Sequence, residues 1–395
     1  MTKIPSFYEF NFPVKIISGH TALHNLPAEL TAASVSRPLI ITDQGVARAG
    51  LIQHVLDALG ESAITVGALF DETPLESSTL VVNQLGELYR AKRCDSIVAV
   101  GGGSVIDTAK GVNIIVSLDG HDVRNFRGAD SLTGPLRPLY VVPTTSGTGS
   151  EVTNSAVIAD PEQSVKMLFS SEFLLPRAAF LDSRMTLTLP PRLTAATGMD
   201  ALTHAMEATL SIQKNPMSDV YAWQAVRLIS QYLRDAVEHP QEKENRLALA
   251  NASTMAGVAF SNAMVGVVHS MGHATGGVAH VPHGVAMNIF LPFGLEFNLA
   301  KRREEIGELL LPFSGAQVFA DTPESRRAER VINDVHQLKE DLYQLCGLPR
   351  TLSEAGVKRE QLPAIAALAI NDASALMNPT DLNTAEALAL AEKAF

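Results

Sequence analysis

The apolar positions of this chain follow two periods, one in each half. Short aliphatic runs at Pro38–Asp43 (PLIITD), Ala63–Phe70 (AITVGALF), Ser96–Gly101 (SIVAVG) and Leu139–Thr144 (LYVVPT) read as buried strands. Between them, Gly50–Gly60, Ser78–Arg93 and Ser104–Leu118 carry helical patterns. Strand and helix in alternation predict a parallel sheet with helical crossovers. Asn154–Asp160 and Ala178–Asp182 extend the strand set. Near Leu187–Pro191 the pattern changes. From Leu193 onward apolar residues recur at threes and fours, as in Leu202/Met206 and Val220/Trp223/Val226, and no strand pattern follows. The expected architecture is α/β plus all-α, with a parallel-sheet domain over residues 1–186 and an all-helical domain over 187–395. No internal repeat or low-complexity tract interrupts it.

Composition narrows the function classes. A length of 395 residues with 46% hydrophobic side chains is ample for two or three compact domains. With 31 Lys+Arg against 42 Asp+Glu and no polybasic block, a nucleic-acid partner is not expected. Cys94 and Cys346 have no motif spacing, which argues against disulfides and thiolate metal sites. The start, MTKIPSFYEFNFP, lacks the apolar core of a signal peptide, and no run of about 18 apolar residues exists, so a cytoplasmic protein without a membrane partner is expected. One count stands out. Of 11 histidines, four (His269, His273, His280 and His283) fall within 15 residues.

Two glycine-rich segments each follow a strand. Gly101-Gly102-Gly103-Ser104 opens a helix that contains Asp107 and Lys110, so a phosphate can approach its backbone and the positive helix end. A tight turn with no ligand reads the same, and the segment is not the GxGxxG fingerprint. The second, Pro143-Thr144-Thr145-Ser146-Gly147-Thr148-Gly149-Ser150-Glu151, is dense in small donors that suit a pyrophosphate or ribose; a flexible loop is the alternative. Both leave the carboxyl edge of one sheet, where open α/β sheets bind ligands. Asp43 ends the first strong strand. Its carboxylate can accept from ribose hydroxyls and would repel a 2′-phosphate, or it caps a helix; both readings stand at this level.

The helical half carries a metal-ligand pattern. In GMDALTH, the spacing of four puts Asp200 and His204 on one helix face. The segment VVHSMGH repeats that spacing with His269 and His273, and Pro282-His283-Gly284 presents another imidazole on a turn. Small apolar neighbours imply burial, and buried polar groups need partners. A carboxylate with imidazoles and no thiolate suits Fe(II), Zn, Mn or Co. His280 matches no ligand spacing and is expected on a loop or surface.

These segments together resemble the iron-containing (group III) alcohol dehydrogenases, which include lactaldehyde reductases and 1,3-propanediol dehydrogenases. The resemblance runs through GGGSVIDTAK (101–110), PTTSGTGSEVTN (143–154), LTAATGMDALTHAMEA (193–208), HSMGH (269–273) and PHG (282–284) and covers nearly the whole chain. It implies a dehydroquinate synthase-like fold, in which a dinucleotide-binding domain precedes a helical metal-binding domain. It also implies Asp200, His204, His269 and His283 as metal ligands and His273 as an additional active-site histidine. Gly102, Gly103 and Ser104 match the pyrophosphate turn. Asp107, which lies in the same motif, is placed with the cofactor site. Thr144, Thr145, Thr148 and Lys166 match further cofactor contacts. Asp43 matches the coenzyme-selecting position, where Asp accompanies NAD and Gly commonly NADP. Ser155, Val157 and Phe260 match the substrate pocket.

The activity so implied is hydride transfer between a small primary alcohol or diol, or its aldehyde, and NAD rather than NADP. Fe(II) is the expected metal, with Zn(II) as the alternative, in a homodimer to which Tyr8–Pro13 could contribute. Thr73-Pro74 stands where the family often has Asn-Pro, and Thr380 where Arg is common after Asn378-Pro379. The competing reading is a metal- and NAD-binding lyase or hydrolase of the same fold, acting on a phosphorylated small molecule as dehydroquinate synthase does.

Overall fold

A computed structural model describes residues 4–60, 62–163 and 165–395. The chain divides into two compact units, Phe12–Thr188 and Leu189–Phe395, and the segment ending at Asn11 belongs with the second. The division thus falls after Thr188 rather than after residue 186, and the first residues leave the α/β unit. The tie is specific: Phe10 stacks on Tyr221 at 5.7 Å, and Asn11 exchanges two hydrogen bonds with Asn262.

Among the described residues nine strands occupy the first unit: β1 Lys15–Gly19, β2 Pro38–Ile41, β3 Ala68–Phe70, β4 Ser96–Gly101, β5 Gly128–Ala129, β6 Leu139–Pro143, β7 Ser155–Asp160, β8 Val165–Ser170 and β9 Ala178–Asp182. Six form an all-parallel sheet in the order β1-β9-β6-β4-β2-β3. A smaller sheet has the order β5-β8-β7, with β7 and β8 antiparallel. The central strands are buried at every position, so successive residues feed two cores. Leu39, Ile41, Ile97, Ala99 and Val141 pack with the helices Thr79–Ala91 and Gly103–Ser117. Ile40, Val98, Val100, Tyr140 and Val142 pack on the other face with Leu26–Ala32 and Leu51–Gly60. Each fully buried aliphatic side chain there contributes roughly 1.5–3 kcal/mol, so a charge at Val98 would break the sheet.

Two sequence expectations are corrected. The strand expected over Ala63–Phe70 pairs regularly only from Ala68; before it, Thr65 and Gly67 donate singly to the Ser36 and Pro38 carbonyls. The half-exposed strands β1 and β8 were not anticipated, because their apolar patterns are interrupted by polar edge positions.

The second unit contains helices and no strand among the described residues. The helices that build its centre are Pro191–Leu210, Pro216–Glu238, Lys243–Ala263, Val267–Ala279 and His283–Glu308. The helix Pro191–Leu210 is buried at nearly every position from Thr194 onward, because the second, third and fifth of these surround it. Its start is clamped by the buried Arg246, whose guanidinium donates to Thr194 Oγ1 (2.6 Å), Leu189 O (3.0 Å) and Pro240 O (2.9 Å). No described helix is long and apolar enough to cross a membrane.

Candidate metal centre

Three helices bring four side chains together. The helix Pro191–Leu210 presents Asp200 and His204 one turn apart. His269 stands in the first turn of Val267–Ala279, and His283 begins the long helix His283–Glu308. That last helix can reach the Asp200 face only because residue 284 is glycine: a Cβ there would meet Ala196 O at 2.4 Å. One donor atom from each of Asp200, His204, His269 and His283 lies within 4.8 Å of all the others. From Asp200 Oδ1 the distances are 3.2 Å to His283 Nε2, 3.9 Å to His204 Nδ1 and 4.0 Å to His269 Nε2. Asp200, His204 and His269 are buried, whereas the His283 side chain is 40% exposed and marks the open side.

The electrostatics of this cluster fit a cation. Asp200 Oδ1, His204 Nδ1 and His269 Nε2 are buried without a hydrogen-bond partner. Leaving each so costs about 1–3 kcal/mol unless something positive stands between them. Burial opposes ionisation of Asp200, but the neighbouring His204 and His283 outweigh it and hold the carboxyl below the usual carboxylate range. Burial pushes His204 down to about 3, against the pull of Asp200, and pushes His269 well below its ordinary value. An anionic carboxylate and neutral imidazoles with free lone pairs are the forms a metal requires.

His273 stands beside the four rather than among them. Its Nδ1 pairs with Asp372 Oδ2 at 2.9 Å, and its ring stacks on His283 at 5.3 Å. Phe260 lies flat against His204, with ring centroids 4.2 Å apart, so it covers a candidate ligand directly. His280 is exposed, in a left-handed conformation that ends its helix. Sequence reasoning missed Glu207 and Asp372. Glu207 shared the face of Asp200 and His204, a signal that was present; Asp372 lies 99 residues from its histidine and gave none.

In the α/β unit the two glycine-rich turns meet. Gly101 and Pro143 are register partners, and Thr144 N donates to Gly101 O at 3.1 Å. A Cβ on Gly102 would meet Thr145 Oγ1 at 3.2 Å and one on Gly103 would meet Thr148 Cγ2 at 3.0 Å, so these glycines let the turns close on each other. Gly102 caps the helix Gly103–Ser117 without a side chain, which leaves main-chain N–H groups for an anion. Ser104 Oγ donates to Leu75 O. Asp107 accepts from Val157 N at 2.9 Å, and burial pushes its carboxyl up to about 6 against the pull of Lys110. Asp43 caps the helix Gln44–Arg48, accepting from Val46 N at 2.9 Å through Oδ1. Lys166 pairs with Glu76 at 2.7 Å on the surface. Lys110, to which no role was given, donates from burial to Thr153 O, Thr153 Oγ1 and Ser155 O, and so pins the segment that follows the second turn. Val157 is 45% exposed.

Residues 13–183 match the family model described as iron-containing alcohol dehydrogenase, and residues 194–395 match the C-terminal model of the same family. The chain is 38% identical over 362 residues to 1,3-propanediol dehydrogenase of Klebsiella pneumoniae, covering 91% of each protein. It is 34% identical over 373 residues to NAD-dependent methanol dehydrogenase of Bacillus methanolicus, covering 94% of this chain and 95% of that one. A crystal structure of 1,3-propanediol oxidoreductase superposes with a TM-score of 0.94 at 35% identity, over 98% of this chain and 100% of that one. The chain belongs to the iron-containing alcohol dehydrogenase family.

Proposed function

We propose that the chain transfers hydride between a small primary alcohol or diol and NAD, with Asp200, His204, His269 and His283 holding Fe(II), or Zn(II) in its place. The observation that carries this reading is the set of four converging donors, three of whose atoms are buried and unpartnered, within a family of alcohol dehydrogenases. When bound, a divalent cation supplies Lewis-acid polarisation of the substrate oxygen and a nicotinamide supplies the hydride acceptor. The chain's own groups do the rest. His273, oriented through Nδ1 by Asp372, offers Nε2 to hold or release the alcohol proton. Phe260 shields His204 and forms an apolar wall beside it. Gly102, Gly103 and Ser104 offer main-chain N–H groups to a pyrophosphate, flanked by Thr144, Thr145 and Thr148. In this reading Asp43 keeps Oδ2 for a ribose while Oδ1 caps its helix, which favours NAD over NADP. Asp107 acts through Val157, and Lys166 reaches a cofactor only by leaving Glu76. The family resemblance implies a homodimer in the cytoplasm.

Anaerobic reconstitution with Fe(II) and Zn(II) in parallel, then an alcohol panel with NAD and NADP, tests the reading through NADH absorbance. Growth of NADH with Fe(II) and a short primary alcohol is expected. Binding of NAD with no net reduction on any alcohol would overturn it in favour of a lyase of the same fold.

A further inference from the structure

Glu207 is a buried carboxylate with its donors already in place. It lies three residues after His204 and seven after Asp200, on the same helix face, and is 4% exposed. Its Oε2 stands 2.6 Å from His269 Nδ1, while Oε1 accepts the main-chain N–H of Val268 at 2.7 Å. The N–H groups of Gly266 and His269 also point to this carboxylate. These are the first donors of the helix Val267–Ala279, whose capping residue, Gly266, brings no side chain of its own. A carboxylate at that positive helix end is favourable. Residue 266 is glycine in consequence: a Cβ there would meet Asn378 Oδ1 at 2.7 Å and Glu207 Oε1 at 3.2 Å.

We infer that Glu207 is a positioning residue, which caps the helix carrying His269 from a neighbouring helix and fixes that imidazole as its Nδ1–H tautomer, so that Nε2 presents a lone pair to the cation site. Burial pushes the Glu207 carboxyl up to about 7 while three main-chain N–H groups favour its ionised form, and for that form the contact leaves one good arrangement. With the proton on Nδ1, a donor faces the carboxylate oxygen, and the bare Nε2 faces Asp200 Oδ1 at 4.0 Å. With the proton on Nε2, two acceptors would oppose each other at Nδ1 and an N–H would point at the place of a cation. His204 shows the contrast. Its Nδ1, not its Nε2, faces Asp200, and an aromatic ring lies against its face. Outer partners of this kind set the ring orientation and basicity of a metal-binding histidine.

The inference rests on the cation-site reading, and two measurements on the full chain separate them. The first is the affinity of the metal-free protein for Zn(II), taken by competition with a chromophoric chelator. Glu207→Gln keeps an acceptor for Val268 but turns an amide N–H toward Nδ1. Its Zn(II) affinity should fall by about 10–100-fold, with the metal-free melting temperature little changed. Affinity within about threefold of wild type overturns the inference. The second needs no variant of Glu207: long-range nitrogen NMR on histidine-labelled metal-free wild type reads the tautomer, with the His269 signal assigned from its loss in His269→Gln. An Nδ1–H ring is expected; an Nε2–H ring overturns the inference even if Glu207→Gln fails to fold. A wild-type chain that binds no Zn(II) overturns the cation-site reading and the inference together, whereas normal binding beside an unchanged variant overturns the inference alone.

Discussion

The two units prepare for ligands in opposite ways. In the α/β unit the side chains nearest the glycine turns are already engaged: Asp43 caps a helix, Asp107 holds Val157, Ser104 reaches Leu75 and Lys166 pairs with Glu76. What remains for a ligand there is chiefly main chain at the start of a long helix, with the Asp43 Oδ2 atom and the threonine side chains beside it. In the helical unit three buried side-chain atoms, Asp200 Oδ1, His204 Nδ1 and His269 Nε2, converge without a satisfied hydrogen bond, while Glu207 is engaged with His269 and Asp372 with His273. An N–H at a turn tolerates water or a ligand at little cost. Several orphaned atoms converging in an apolar interior do not, so they mark their site more sharply.

The strongest way to break that contrast is His269→Ala. It removes a buried donor, and bound metal and turnover should both fall by more than the roughly 10–100-fold that loss of an outer partner costs. Metal analysis beside an alcohol assay checks this, and full metal with full activity would show the orphaned atoms to be a packing accident. Asp372→Asn comes next. A hydrogen bond to a charged group contributes about 1.5–3 kcal/mol, so kcat should drop roughly 10–100-fold with metal content and KM little altered. Metal lost along with kcat would instead place Asp372 behind a ligand.

Asp43→Gly tests the other unit. Like-charge repulsion of about 1–4 kcal/mol is removed, and the NAD-over-NADP ratio of kcat/KM should shift toward NADP by about tenfold or more. If Asp43 is a cap and nothing else, only the melting temperature moves, since glycine in place of a capping Asp costs a few tenths of a kcal/mol.

A pH effect concerns Lys339, a buried cation of the helical unit that, unlike the candidate metal cluster, has its partners. It donates to Ile289 O at 3.0 Å and lies over the Phe293 ring. Burial pulls its pKa from 10.5 down to about 7, with Arg350 adding to the fall and Glu354 and Glu296 opposing it. Below about pH 7 the lysine is charged in both states and the burial cost is fully present; above it the unfolded chain binds more protons, so stability rises toward pH 10.5. Denaturant midpoints of wild type should therefore gain on those of Lys339→Met between about pH 6 and about pH 9. A constant difference would mean that the lysine never loses its proton.

Much of this site was legible as local spacing. Four-residue steps put Asp200 with His204 and His269 with His273, and glycine-rich segments after strands marked both turns. Helix geometry and turn conformation depend on neighbours in the chain, so such features survive in one dimension. The strand β1 did not: its partner β9 lies more than 150 residues away, and a short edge strand with polar positions carries little pattern of its own. Composition and period also fell silent on which partner each polar group takes.

By itself, then, the sequence determined the two-period architecture and the oxygen and nitrogen character of the candidate metal donors. Only the tertiary structure decided that His269 turns Nε2 inward because Glu207 holds Nδ1, that His273 answers to Asp372 instead, and that Lys166 and Asp107 spend their charges elsewhere. The physical reason is range. Secondary structure follows from periodicity within a few residues, whereas the partner of a buried polar atom is set by whichever distant segment packing brings within about 3 Å.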